Sequence, residues 1–252
     1  MSAEALENLT NPEAQRAAAR SRAYAALAQA FEYPDAELCD ASRSGELEKA
    51  LRGILEAVDP GLCEDADWEA LADPGEGDDL AVEFTRLFDV GASGPPCPLY
   101  GGLYGGARMK NMEEAVRFYN HFGLTLSESP RELPDHVTTE LEFLHFLCYR
   151  EAETIESGQD PDAYRRAQRD FITRHPGRWI PLLRKRLESE NPMRFFLELV
   201  RRIESLLALD RAYLVGLVGP VPDKASGGSP SATAGGGGPG RSIVPPPGND
   251  PH

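Results

Sequence analysis

RELPDHVTTELEFLHFLCYRE, residues 131–151, sets two histidines and five carboxylates beside a run of apolar side chains. Pro134 suits the first turn of a helix, and the short polar side chain of Asp135 suits a cap on its free N–H groups. Beyond them Leu141, Phe143, Leu144, Phe146, Leu147, Cys148 and Tyr149 point almost all round the helix. A helix with no polar face is buried and central to its fold. The stretch therefore predicts a core helix from Pro134 to about Ser157, whose polar entrance faces the junction left by the preceding connector, as a binding rim would. At about 100° per residue, His136 and Glu140 share a face, four apart, as a surface pair would. His136 and His145 lie roughly 180° apart and cannot share one metal from a straight helix.

Glu142 and His145 form a Glu-x-x-His pair of the kind that di-iron bundles use, but those need a second copy on another helix. The chain holds no second copy. Nor does it contain a Gly-x-Ser-x-Gly elbow, a phosphate loop or a dinucleotide fingerprint. A helical metal-dependent enzyme using Glu142 and His145 is the alternative to a binding role.

The rest of the chain reads as more helices. Asn11–Pro12, Asp160–Pro161 and Asn191–Pro192 each give a cap-and-proline start. Leu47, Leu51, Ile54, Leu55 and Val58 recur at helical spacing, as do Leu80, Phe84, Leu87 and Phe88 before Gly91. Met112 to Phe122 forms another such segment, stopped by Gly123. On the last helix, Arg194, Glu198 and Arg202 follow four apart, as on an outer face. No alternating strand stands out. The expectation is an all-α bundle of roughly eight to ten helices in two lobes, 1–123 and 133–218, joined by a hinge at 124–132. Residues 219–252 are half Gly or Pro and cannot bury enough surface to offset their ordering entropy, so a disordered tail is expected there.

GASGPPCPLYGGLYGGA, residues 91–107, is too rich in Gly and Pro for a helix interior, yet it carries Leu99, Tyr100, Leu103 and Tyr104. A long loop with such content is functional or tightly packed.

Composition narrows the function classes. The formal net charge is −15, which disfavours nucleic acid as a partner. Acidic residues crowd the segment 31–90, and arginines gather in 165–202. No apolar run approaches the roughly 20 residues of a membrane span. The N-terminus lacks the pattern of a secretory signal. A cytoplasmic protein is expected. Cys39, Cys63, Cys97 and Cys148 form no Cys-x-x-Cys pair. They read as small apolar residues, with a reactive thiol the alternative at Cys97.

Two stretches together resemble a known family. EFTRLFDVGASGPPCPLYGGLYGG is similar to the loop that follows the N-terminal helices of TorD/DmsD/NarJ-like redox-enzyme maturation chaperones. ELPDHVTTELEFLHFL is similar to that family's Glu-x-Pro-Asp-His motif opening a long helix. The wording PPCPLYGGLYGGARMKNMEEAVRFYNHFGLTL resembles the subgroup serving type II DMSO reductase-family molybdoenzymes. The resemblance spans about residues 16–215. It implies a non-catalytic, cofactor-free, system-specific chaperone that is monomeric or homodimeric. It would bind the catalytic subunit of a molybdopterin oxidoreductase, and its twin-arginine leader peptide, during cofactor insertion and before export. Carried over by position, the client-binding residues are Leu87, Phe88, Tyr100, Tyr104, Glu132, Pro134, Asp135 and His136. Gly101 and Gly102 depart from relatives that carry a polar residue there, which counts against a polar role for that turn. An apolar groove near Phe88 and Tyr100 would take the leader's apolar face, and Glu132 and Asp135 its arginines.

Overall fold

The computed structural model describes residues 8–91, 94–125 and 133–222, with the backbone of 241–242. Ten α-helices are present among them: α1 (Pro12–Ala30), α2 (Ala36–Arg43), α3 (Glu46–Val58), α4 (Trp68–Leu71), α5 (Asp79–Phe84), α6 (Arg108–His121), α7 (Val137–Glu156), α8 (Asp162–Arg174), α9 (Pro176–Ser189) and α10 (Arg194–Val218). The extended structure is one two-residue parallel pairing of Leu124–Thr125 with Arg241–Ser242. The fold is all-α, as the helical spacing predicts. The expected hinge beyond Thr125, and the expected disordered tail beyond residue 222 apart from the 241–242 backbone, lie outside the described residues.

Local chemistry sets most helix ends. The Asn11 side chain accepts from the Glu13 N–H at the start of α1, and Asp35 caps α2 through the Leu38 N–H. Gly123 and Gly158 sit at φ 72 after α6 and α7, where a left-handed residue closes the last turn. Asn191 departs from its expected role. It does not cap α10 but takes φ 48 in the turn before it, a conformation asparagine tolerates, and α10 starts at Arg194. Arg194 then pairs with Asp67 at 2.5 Å rather than with Glu198. Glu198 pairs with Arg202 as its spacing predicts, but on a buried face.

α7 runs through the centre with α1 along one side. Leu141, Phe143, Leu144, Leu147 and Cys148 are all fully buried. The apolar side chains on both sides of residues 126–132 join one core cluster. Two aromatic groups anchor it: Phe31, Phe84, Phe88 and Phe196 in one part, and Phe118, Tyr119, Phe143 and Phe171 in another.

A polar knot lies within this apolar interior. The Arg20 guanidinium of α1 is 1% exposed. It donates from Nε to Asp210 at 2.8 Å, from Nη1 to Glu151 at 2.9 Å, and from Nη2 to Gln168. Tyr24 Oη donates to the other Asp210 oxygen at 2.7 Å, and Arg165 Nε to the other Glu151 oxygen at 2.8 Å. Four helices, α1, α7, α8 and α10, are thereby fixed in register. Buried charge is tolerated only when paired and hydrogen-bonded in this way.

Candidate functional site: a cleft with open polar groups

The two sequence stretches singled out above meet. The helix α5 ends in a π-turn, Thr85–Asp89, closed by the Val90 N–H on Thr85 O at 3.0 Å. The chain then turns back, and the Cys97 N–H bonds Leu87 O at 2.9 Å. Tyr100 and His136 next form an antiparallel bridge. The Gly101 N–H reaches Asp135 O at 2.8 Å, and the Val137 N–H reaches Leu99 O at 2.9 Å. The Tyr100 ring meets the His136 ring edge-on at 5.0 Å. Tyr119 Oη donates to Pro134 O at 2.6 Å and holds the entrance of α7 from behind.

Asp135 is 1% exposed and does not cap α7. One of its oxygens, Oδ2, accepts from the Gly102 N–H at 2.9 Å. The cap is His136 instead, whose Nδ1 accepts from the Thr138 N–H at 3.4 Å and lies 2.7 Å from Thr138 Oγ1. Asp135 is drawn off because the glycine turn presents an N–H to it from across the chain. The same closeness explains Gly101 and Gly102. A Cβ on Gly101 would stand 2.7 Å from Trp179 Nε1, and one on Gly102 would stand 2.8 Å from Asp135 Oδ2. The two glycines let the backbone approach these side chains.

Glu140 is not in a surface pair with His136. It is buried, and its Oε2 accepts from Trp179 Nε1 at 2.8 Å. Burial pushes its carboxyl well above the usual range, against the Trp179 hydrogen bond, and nearby Asp135 adds to the rise. His175 Nδ1 lies 4.0 Å from Glu140 Oε1. Burial lowers the pKa values of His175 and His136, each to about 4, so both rings are neutral at ordinary pH. Tyr104 stacks on Trp179 at 5.4 Å, and Arg186 lies over its ring, 4.5 Å from the centre.

These groups line a cleft of about 150 Å³ between the glycine turn, the entrance of α7 and the start of α9. Three of its polar atoms are buried and unpartnered: Asp135 Oδ1, His175 Nε2 and Tyr104 Oη. Arg174 and Arg178 stand among its lining residues. Arg174 is engaged by Glu114 at 3.3 Å, whereas Arg178 is exposed and in no ion pair among the described residues. Buried polar atoms are nearly always satisfied within a protein, and these three, on residues that line one cleft, are not.

Of the expected binding residues, Tyr104 and Asp135 line the cleft, while Tyr100, Pro134 and His136 form its frame. Leu87 and Phe88 do not reach it. Both are buried, and Phe88 is enclosed by Phe31, Phe84 and Phe196. Glu132 lies outside the described residues. Glu140, His175 and Trp179 went unread as site residues. Trp179 and His175 come from a separate helix boundary, and only the folded chain brings them to the motif. The Glu142–His145 reading fails on geometry: His145 Nδ1 is 2.8 Å from Ser21 Oγ, and among the described residues no three metal-ligating side chains converge. Cys97 is fully buried and its thiol is pushed up to about 11 by that burial, so it is not a reactive thiolate.

Comparison with known proteins gives the class of the chain. The family described as nitrate reductase delta subunit matches residues 40–185. The selenate reductase assembly chaperone protein of Thauera selenatis is 37% identical over 183 residues, which cover 72% of this chain and 80% of that one. The chlorate reductase assembly chaperone protein of Ideonella dechloratans is 34% identical, with the same shares covered. The perchlorate reductase assembly chaperone protein of Dechloromonas aromatica is 34% identical over 77% of this chain and 91% of its own. The chain belongs to the nitrate reductase delta subunit family, the TorD-like assembly chaperones, and is a chaperone and not a catalyst. Among the described residues no helix is long and apolar enough to cross a membrane.

Proposed function

We propose that this chain is the assembly chaperone of a molybdenum-containing oxidoreductase and holds its catalytic subunit through the cleft at Asp135 before assembly is complete. The observation that carries this reading is the set of three buried, unpartnered polar atoms where the two family motifs meet. The roles of the three relatives supply the class of client. Asp135 Oδ1 accepts a hydrogen bond from an N–H donor of the client, and the guanidinium of a leader-peptide arginine suits it best, since a charge-assisted bond is about twice as strong as a neutral one. Arg178 at the rim takes a backbone carbonyl or carboxylate of the same segment. Tyr104 and Trp179 provide an aromatic wall against which the side-chain stem rests.

The test is a titration of the client's leader peptide against the wild-type chain and Asp135→Asn, at low and high salt. Asparagine keeps an acceptor for the Gly102 N–H. The expected loss is about tenfold at low salt, from about 1–2 kcal/mol for one charged hydrogen bond. It should narrow at high salt. Equal affinity in all four titrations removes Asp135 from the binding site.

A further inference from the structure

The outer face of α9, beside the cleft, carries charge that the chain leaves unmatched. Arg178, Leu182, Lys185 and Arg186 fall within an arc of about 100° on that helix, and all four are exposed. Arg178 and Leu182 line the cleft, and Arg186 lies over the ring of Tyr104, another of its lining residues. The three cations are in no ion pair among the described residues. The arginine on the opposite side of α9 differs: Arg184 holds Glu204 at 2.6 Å and Glu188 at 2.9 Å.

Nearby acids are already engaged. Glu188 also faces Arg201 at 3.5 Å, Glu190 lies 3.9 Å from Arg86, and Glu114 lies 3.3 Å from Arg174. Glu140 is buried against Trp179. Arg108 adds a cation by the glycine turn, but Asp89 opposes it around Tyr100. A chain of net charge −15 therefore sets a basic strip beside its cleft. The strip is not purely basic. Leu182 stands between Arg178 and Arg186, and Leu103 of the glycine turn is as exposed, at 40%.

The spacing selects the occupant. Arg178, Leu182 and Arg186 follow four apart, a rise of about 6 Å along the helix at each step. Alternate side chains of an extended chain stand on one face about 6.6 Å apart. Acid-x-apolar-x-acid in an extended segment therefore matches Arg-Leu-Arg on α9 position for position. We infer that α9 docks an extended segment of the client with this pattern, its two carboxylates on Arg178 and Arg186 and its apolar side chain on Leu182. The inference rests on the reading that the cleft holds a client polypeptide, and it names the residues beside the group that Asp135 takes. A free anion would leave Leu182 and Leu103 uncovered, and the net charge of the chain repels nucleic acid.

The probe is a labelled synthetic peptide: one arginine, then Glu-Thr-Leu-Thr-Glu, with serines at both ends. Threonine favours the extended form. A second peptide carries glutamine for both glutamates, and a third has one threonine inserted before the last glutamate. Fluorescence anisotropy is read on the full chain. The first peptide should bind the wild type about fivefold more tightly than the second at low salt, and the gap should close at high salt. In the third, the last glutamate turns to the other face, and the gain should fall to about twofold. On Arg178→Gln with Arg186→Gln the gap between the first two peptides should shrink below about twofold, whereas Asp135→Asn should weaken both and keep the gap. Circular dichroism and the melting temperature establish that each variant is folded. An equal gap on the wild type and the folded double variant overturns the inference. So does a third peptide that matches the first, which would reduce the strip to unspecific charge, and so does failure of the first peptide to bind the wild type. A gap that follows the arginines while Asp135→Asn changes nothing removes Asp135 from the site and leaves the α9 strip standing.

Discussion

The knot around Arg20 and the cleft around Asp135 are equally buried, and they differ in one respect. In the knot every nitrogen of the Arg20 guanidinium donates to a partner, and both oxygens of Asp210 and of Glu151 accept. In the cleft Asp135 uses one oxygen and leaves the other open, while His175 Nε2 and Tyr104 Oη have no partner. A closed polar network supports a fold, and an open one costs stability until something fills it. The knot thus serves the architecture, and the cleft is the proposed place of recognition.

Removing the hub of the knot should have the largest effect. Arg20→Met leaves Asp210 buried without its cation and Glu151 with Arg165 alone, at an expected cost of about 3–5 kcal/mol. Denaturant unfolding measures it, and a loss under about 1 kcal/mol would place the support of the fold elsewhere. Acid should act next, and through the site. The pKa values of His136 and His175 are lowered from 6.5 to about 4 by burial. Their stabilising contribution is complete above pH 6.5 and is lost as pH falls toward 4, because the unfolded chain binds these protons first. Each ring accounts for about 3 kcal/mol over that window. Glu140 acts in the opposite sense. Its raised pKa stabilises the fold below the ordinary carboxylate range, and that contribution fades as pH rises. His175→Phe keeps the stacking on Phe171 and should flatten the stability profile between pH 6.5 and 4. An unchanged profile would mean that His175 does not titrate in this window.

Smaller effects separate cleft from core. Gly101→Ala should cost about 1–3 kcal/mol, since its Cβ meets the fixed indole of Trp179. Gly102→Ala should cost about as much or less, because its Cβ meets the Arg108 stem at 2.6 Å and Asp135 Oδ2 at 2.8 Å, and the Arg108 side chain can turn away more readily than an indole. Melting temperatures that rank the two the other way would show the indole to be the looser neighbour. Asp135→Asn should shift stability least, by under about 1 kcal/mol, while still weakening the client peptide. A large loss of stability in that variant would turn Asp135 from a recognition group into a structural one.

The sequence exposed periodic features and hid long-range ones. The spacing of Leu141 to Cys148 marked a buried helix, and Asn11–Pro12 marked a start, because both signals are local. The Asp135 cap was misread because the competing N–H, on Gly102, lies on a distant segment. Glu140 looked exposed for a similar reason: Trp179 reaches it from α9. The arginine knot escaped notice because its charges, on Arg20, Glu151, Arg165 and Asp210, are scattered along the chain and resemble surface residues until the helices converge. Leu87 and Phe88 were carried over by family position as client-binding residues, while their periodicity with Leu80 and Phe84 already placed them on the inward face.

The buried thiol of Cys97 makes the loop its own gauge. Its sulfur can meet an alkylating reagent only when the segment hydrogen-bonded to Leu87 lifts, so the rate of labelling counts excursions of that loop from its seat. Cys63, half-buried, marks the pace of an open thiol in the same molecule. A polypeptide lodged between the glycine turn and α9 would hold this gauge shut, and occupancy could be followed with no label attached to the polypeptide.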